Sequence, residues 1–162
     1  MDGGLGTEYL FKDIEVGAEI TMRGPQGVFV LPEQVPENLF LICTGTGIAP
    51  YRSMLHYIKT HNVPHGNIHL VFGTRTKADL LYYDEMRQME KDLPNFRYHP
   101  VLSREEWDGH KGYVHAIYEE ACKAHPHAHF MLCGWKVMVD EAKQRLLAMG
   151  YDKKDIHLEL YG

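Results

Sequence analysis

From Leu39 onward the chain alternates short apolar runs with amphipathic stretches, and this rhythm limits its fold more than any other feature. Strands separated by helical segments pair in parallel, because a parallel neighbour is reached only through a crossover. Five runs read as strands: residues 39–43, 68–72, 97–101, 129–133 and 156–160. Several are continuously apolar, as strands covered on both faces are. Ile48, Leu55 and Ile58 mark one apolar helix face, and Tyr82, Met86, Met89 and Leu93 mark a second. Residues 113–124 make a third helix. The fourth spans residues 136–149, with Met138, Ala142 and Leu146 inward and Gly150 placed to end it in the left-handed conformation. The expected fold is α/β, a five-stranded parallel sheet with helices on both faces.

Residues 1–38 break this rhythm. Glycines and prolines punctuate short strand-like pieces at residues 19–23 and 28–31, so the segment reads as β-rich or irregular. It is too short to close a barrel, since six strands of about 5 to 6 residues plus turns need more chain.

Composition narrows the function classes. With 44% hydrophobic residues the chain can bury a core, and 17 Lys and Arg against 22 Asp and Glu give a net charge of −5 with no basic stripe, so nucleic acid is not an expected partner. Its longest apolar runs, of about five residues, fall far short of the roughly 20 needed for a membrane span. Residues 1–4 do not read as a signal peptide, so the expected location is cytoplasmic. Cys43, Cys122 and Cys133 lack any paired spacing and indicate neither a disulfide framework nor an iron–sulfur cluster. His125, His127 and His129 alternate before an apolar strand, a pattern that can gather imidazoles around a metal. No acidic or cysteine ligand stands beside them, so they read as solvated loop histidines and no metal is expected.

The strongest local signal runs from Leu39 to Ser53: a buried strand, the Gly45-Thr46-Gly47 turn, and a helix with Pro50 in its first turn. Gly45 and Gly47 allow backbone amides to approach an anion, and the helix N-terminus favours a pyrophosphate. The alternative is a tight turn with no ligand. A bulky residue at Gly47 is expected to obstruct the pyrophosphate while leaving the fold intact. In the second strand's loop, Thr74 and Arg75 stand where a site for an unphosphorylated ribose would carry an acid. Ser103, Arg104 and Lys111 follow the third strand, so hydroxyl and basic groups suited to a 2′-phosphate gather at one sheet edge, unless they are ordinary surface charges. The fourth strand ends in Cys133-Gly134, which places either a thiol beside a bound ring or a small core cysteine. No Gly-x-Ser-x-Gly elbow is present, which disfavours nucleophilic hydrolysis.

Taken together, Gly45-Thr-Gly-Ile-Ala-Pro-Tyr-Arg-Ser53, Phe72-Gly-Thr-Arg-Thr76, Leu80-Leu-Tyr-Tyr-Asp-Glu85, Leu132-Cys-Gly134 with Met138, and Glu159-Leu-Tyr161 resemble the ferredoxin-NADP reductase superfamily. The resemblance implies a Rossmann-like NAD(P)-binding domain over residues 39–162, preceded by a short remnant of a flavin-binding β-barrel over residues 1–38. It implies a flavoenzyme that passes electrons between a nicotinamide nucleotide and a one-electron carrier or oxygenase component, such as a ferredoxin or flavodoxin. By the same resemblance, Thr44, Gly45, Thr46, Gly47, Ile48, Ala49 and Pro50 hold the pyrophosphate region. Cys133, Glu159 and Tyr161 lie near the reacting rings, with Gly134 and Met138 beside them. Thr74, Arg75, Ser103, Arg104, Lys111 and Tyr113 match the 2′-phosphate region of the NADP-using branch, which favours NADP slightly over NAD. FAD is implied for the full-length enzyme. The family's Arg-x-Tyr-Ser or Arg-x-Tyr-Thr flavin motif is absent, leaving Thr7 as the candidate flavin-phosphate contact. The polypeptide is therefore expected to be the C-terminal portion of a reductase, inactive alone. The alternative is a stand-alone nucleotide-binding or regulatory module without redox turnover.

Overall fold

The computed structural model describes residues 4–24 and 26–161, with the Tyr161 side chain outside that description. A short helix α1 (Leu5–Glu8) and a π-helical turn (Tyr9–Asp13) open the chain. The sheet begins only at β1 (Asn38–Thr44). There follow α2 (Ile48–His61), β2 (Asn67–Thr74), α3 (Tyr83–Asp92), β3 (Phe96–Leu102), β4 (His110–Lys111), α4 (His115–Ala121), β5 (His129–Trp135), α5 (Lys136–Ala148) and β6 (Ile156–Tyr161). All five expected strands and all four expected helices are present. The two-residue β4 is added at the edge, where it pairs with the end of β3 through Val101 and Leu102.

Every ladder is parallel, in the order β4-β3-β2-β1-β5-β6. Because β2 and β3 extend to one side of β1 and β5 and β6 to the other, the strand order reverses between β1 and β5. In open α/β sheets a crevice forms at the carboxyl ends of the strands at such a reversal.

Alternation along the strands divides the core into two layers. Leu39, Leu41 and Cys43 of β1 face α2 and α3, where they pack with Tyr51, Leu55, Ile58, Met86 and Met89. Phe40 and Ile42 face the opposite side and pack with Tyr118 of α4 and with Val139, Ala142 and Leu146 of α5. Both faces are therefore dry, which explains why β1 is apolar without alternation. Each fully buried Leu or Ile contributes about 1.5 to 3 kcal/mol of transfer free energy. At the end of α5, Gly150 adopts φ +93°, as its position in the sequence predicts, and its N–H donates to the Leu147 carbonyl at 3.0 Å.

Of the two readings of the segment before β1, β-rich or irregular, the described residues follow the irregular one. Among the described residues, 19–23 and 28–31 lie in no strand. A strand requires a neighbour for its N–H and C=O groups, and these pieces have none. Instead Phe29, Leu31 and Val35 lie against the α2–α3 layer, with the Phe29 ring 6.0 Å from that of Tyr51.

Candidate active site at the carboxyl edge of the sheet

A cleft of about 750 Å³ runs across the carboxyl ends of β1, β2, β3 and β5. Its middle is formed by Thr44, Gly45 and Thr46, where β1 passes through a 3₁₀ turn (Gly45–Gly47) into α2. Gly45 has φ +56°, the left-handed value that turns the chain from strand to helix. Pro50 occupies the first turn of α2, where a missing N–H leaves no intrahelical bond unmade. The amino end of this 14-residue helix thus stands behind Thr46 and adds positive partial charge to the middle of the cleft.

The end over β2 and β3 is basic. Ser103 N–H donates to Thr74 O and Arg104 N–H to Arg75 O, both at 3.0 Å, so the loops after β2 and β3 are laced together. Arg75, Ser103 and Arg104 are exposed on the cleft, and neither guanidinium forms an ion pair among the described residues. The acids nearby are already engaged. Asp79 accepts from Thr76 N–H at 3.0 Å and Thr76 Oγ1 at 2.8 Å in a capping box. Glu141 accepts from Arg145 at 2.7 Å, and Arg145 followed by His115 holds its carboxyl below the usual carboxylate range. Two unpaired guanidiniums therefore outweigh Asp79, whose hydrogen bonds come from neutral donors and leave its charge in place, and the net positive sign suits a phosphate.

On the far side of the Gly45 turn, where β5 passes into α5, Trp135, Val137 and Met138 make a largely apolar stretch fit to cover rings, and Tyr113 adds a ring from the loop after β4. Trp135 is held by its backbone, since its N–H donates to Thr44 Oγ1 at 3.2 Å, which ties β5 to β1 across the strand-order reversal. His115 forms part of the wall, with Nδ1 2.9 Å from Tyr118 Oη and Nε2 3.4 Å from Glu141 Oε2. Burial lowers its pKa, and the neutral tautomer protonated on Nε2 satisfies both neighbours.

Of the sequence candidates, Thr44, Gly45, Thr46, Thr74, Arg75, Ser103, Arg104, Tyr113 and Met138 meet on this cleft. Others stand elsewhere. Gly47 is buried with φ −61°, so it supplies no left-handed turn. A β-carbon on it would lie 2.7 Å from the carbonyl carbon of Cys133. Gly47 is a packing glycine, and the expectation that bulk there would leave the fold intact is corrected. Ile48 is buried in the core, while Ala49 and Pro50 shape the first turn of α2 without lining the cleft. Gly134 is likewise a close-approach position, at φ +136° and against Thr44. Lys111 on β4 is ion-paired to Glu106 of the preceding loop and does not line the cleft, because a nearby carboxylate captures it first.

Cys133 and Glu159 are direct neighbours in register, in a row that runs Phe72, Cys43, Cys133, Glu159 across the sheet. Cys133 is fully buried in the layer beneath α2, and Glu159 is half-buried on the edge strand. Burial pushes the neighbouring Cys43 thiol up, and Cys133 adds to that shift, so Cys43 favours protonated sulfur. Tyr161 pairs in backbone register with Trp135, and its side chain lies outside the described residues. Thr7 is exposed on α1 and lines neither this cleft nor a groove at the opposite end of the sheet. Sequence reasoning missed Trp135, Val137, His115 and Glu141. Trp135 carries a usable signal, an aromatic at the carboxyl end of an apolar strand. His115 and Glu141 meet only because α4 and α5 pack on the same face.

A doubly covered parallel sheet with a glycine turn at its strand-order reversal and a phosphate-suited cleft above it defines a dinucleotide-binding α/β domain. The family model described as the oxidoreductase NAD-binding domain matches residues 41–144, and the chain belongs to that family. Over 99% of its length it is 33% identical to ferredoxin–NADP reductase B of Sorangium cellulosum, of which it covers 69%. It is 30% identical to the phenol hydroxylase P5 protein of Acinetobacter pittii, again over 99% of its length, but spans only 47% of that relative. A ferredoxin NADP+ reductase from Neisseria gonorrhoeae, solved with bound FAD and NADP, shares the fold at a TM-score of 0.73 and 22% identity, over 99% of this chain and 71% of that one. Its relatives include reductases and electron-transfer components of oxygenases. No helix among the described residues is long and apolar enough to cross a membrane.

Proposed function

We propose that these residues form the nicotinamide-nucleotide-binding half of a flavin-dependent oxidoreductase that passes electrons between NAD(P)H and a one-electron carrier protein or oxygenase component. The observation that carries this reading is the polarity of the cleft. The unpaired Arg75 and Arg104 stand at one end, a helix N-terminus and the Gly45 turn in the middle, and an apolar wall of Trp135, Val137 and Met138 beyond it. A dinucleotide has the matching sequence of groups, with its pyrophosphate at Thr44–Thr46 and its 2′-phosphate at Ser103, Arg104 and Arg75. The nicotinamide ring would then lie toward Cys133 and Glu159, where a flavin held alongside would supply the redox chemistry, with Tyr161 the residue proposed to cover it. Three buried cysteines without a disulfide accord with a cytoplasmic setting.

The described residues do not fit FAD. Thr7 is exposed on α1 and lines no cleft shared with Cys133 or Glu159, and no Arg-x-Tyr-Ser or Arg-x-Tyr-Thr segment is present in the 162 residues. We take residues 1–38 as the end of a flavin domain and residues 39–162 as the nucleotide domain. The 162-residue polypeptide should therefore bind nucleotide while holding little flavin. Calorimetric titration with NADPH and NADH, together with an absorption spectrum of the purified chain, tests this. Saturable nucleotide binding without stoichiometric flavin is expected. Failure to bind either nucleotide would overturn the reading, and a yellow protein with one flavin per chain would overturn the division of labour.

A further inference from the structure

The H-P-H-A-H segment before β5 gains in the fold what it lacks in sequence. Asp155, 26 residues beyond His129, is the last residue of a 3₁₀ turn (Lys153–Asp155) that delivers the chain into β6, the neighbour of β5. Its carboxylate is buried, and Oδ1 lies 3.6 Å from His129 Nε2. The exposed His127 ring stands edge-on to that of His129 at 5.3 Å between centroids. One ligand atom from each of His127, His129 and Asp155 can be chosen so that all three lie within 4.8 Å of one another.

We infer that His127, His129 and Asp155 form a binding site for a divalent transition-metal ion of the zinc type, at the amino edge of the sheet, opposite the nucleotide cleft. Two imidazoles and one carboxylate are a donor set that suits zinc, with a fourth position left for water. Zinc–ligand bonds of about 2.0 to 2.2 Å at tetrahedral angles place ligand atoms roughly 3.4 Å apart. The His129–Asp155 pair is near that spacing already. A rotation of the exposed His127 side chain closes the rest.

The loop is held at two points. Asn38 Nδ2 donates to His127 O at 3.0 Å, and Tyr151 Oη donates to Pro126 O at 3.1 Å. His125 is kept apart, its ring stacked on Tyr151 at 4.5 Å. Lys154, the nearest cation, is turned to Asp152 at 3.4 Å. Access is open, since His127, His129 and His157 line a groove of about 610 Å³ with Val28, Val30 and Glu37. An ion there would clamp the loop before β5 to the start of β6.

The test is titration of the 162-residue chain with Zn²⁺ alone, by calorimetry and by thermal melting. One saturable ion per chain and a raised melting temperature are expected. His127→Ala, at an exposed position that leaves the core untouched, should weaken Zn²⁺ binding by at least about tenfold and abolish the thermal shift. Asp155→Asn should do the same. His99→Ala, in a separate histidine pair on β2 and β3, should leave Zn²⁺ binding unchanged. Absence of saturable binding, or binding that survives His127→Ala, would overturn the site, as would binding lost in His99→Ala instead. Should Asp155→Asn fail to fold, His127→Ala decides the matter alone.

Discussion

Gly47 rests directly on Cys133: a β-carbon at Gly47 would sit 2.7 Å from the Cys133 carbonyl carbon and 3.0 Å from the amide nitrogen of Gly134. These neighbours are backbone atoms of β5, an interior strand paired on both sides, so they cannot swing aside. Gly47→Ala should cost roughly 1 to 3 kcal/mol, the range for overpacking a filled core, and Gly47→Val more. Gly45 is different, since a methyl group there would meet no atom within 4 Å and only its φ of +56° opposes substitution. Gly45→Ala should cost about 1 kcal/mol. Urea unfolding of the two variants checks the ranking, and equal losses would contradict it.

Cofactor choice rests on Arg75 and Arg104, whose loops are joined by backbone hydrogen bonds. Arg104→Ala should cost roughly 1.5 to 3 kcal/mol for NADP, the range for a hydrogen bond to a charged group, and almost nothing for NAD. Wild-type preference for NADP should weaken with salt, because these groups are exposed. Lys111→Ala should change neither affinity, since Glu106 already holds that ammonium. Paired titrations at two salt concentrations decide, and equal losses for both nucleotides would place the 2′-phosphate elsewhere.

Fluorescence offers a direct view of the cleft, because the chain has two tryptophans and only Trp135 lines it. Trp107 is turned away, its Nε1–H donating to His110 O at 2.7 Å. NADPH should change the emission of wild type and of Trp107→Phe, and should leave Trp135→Phe nearly silent. A response that follows Trp107 would move the nucleotide off this wall.

Acid stability should report the His69–His99 pair, in which Nδ1 of His69 lies 3.1 Å from Nε2 of His99. Burial, and then the neighbouring His69 and His110, lower His99 to about 4. A histidine in the unfolded chain titrates near 6.5. Between these values the unfolded chain binds the proton and the folded chain does not, so stability falls as pH drops from about 6.5 toward 4. The loss from this group is roughly 3 kcal/mol. His99→Phe, which keeps the aromatic stack with His69, should flatten melting temperature against pH over that window. An unchanged slope would show that other groups carry the acid sensitivity.

Much of this protein was legible in its residues. The apolar runs gave the five main strands, since a strand buried on both faces has no need of polar alternation, and the turn at Gly45 with Pro50 marked the start of α2. Strand-end position also sufficed to place Thr44, Thr46, Arg75 and Arg104 on one cleft, because in a parallel sheet every carboxyl end opens on the same side. The order of strands was not readable, nor was anything that depends on which residues lie back to back. Whether Gly47 serves a ligand or a neighbouring strand is decided by the approach of β5, which follows some 80 residues later. Lys111 looked like its basic neighbours until Glu106 was seen to hold it. His127 and His129 lacked an acid within reach along the chain, and Asp155 reaches them only because β6 docks beside β5. Local pattern is set by the covalent sequence and its short-range sterics, whereas partnership between distant side chains exists only once packing has fixed which strands adjoin.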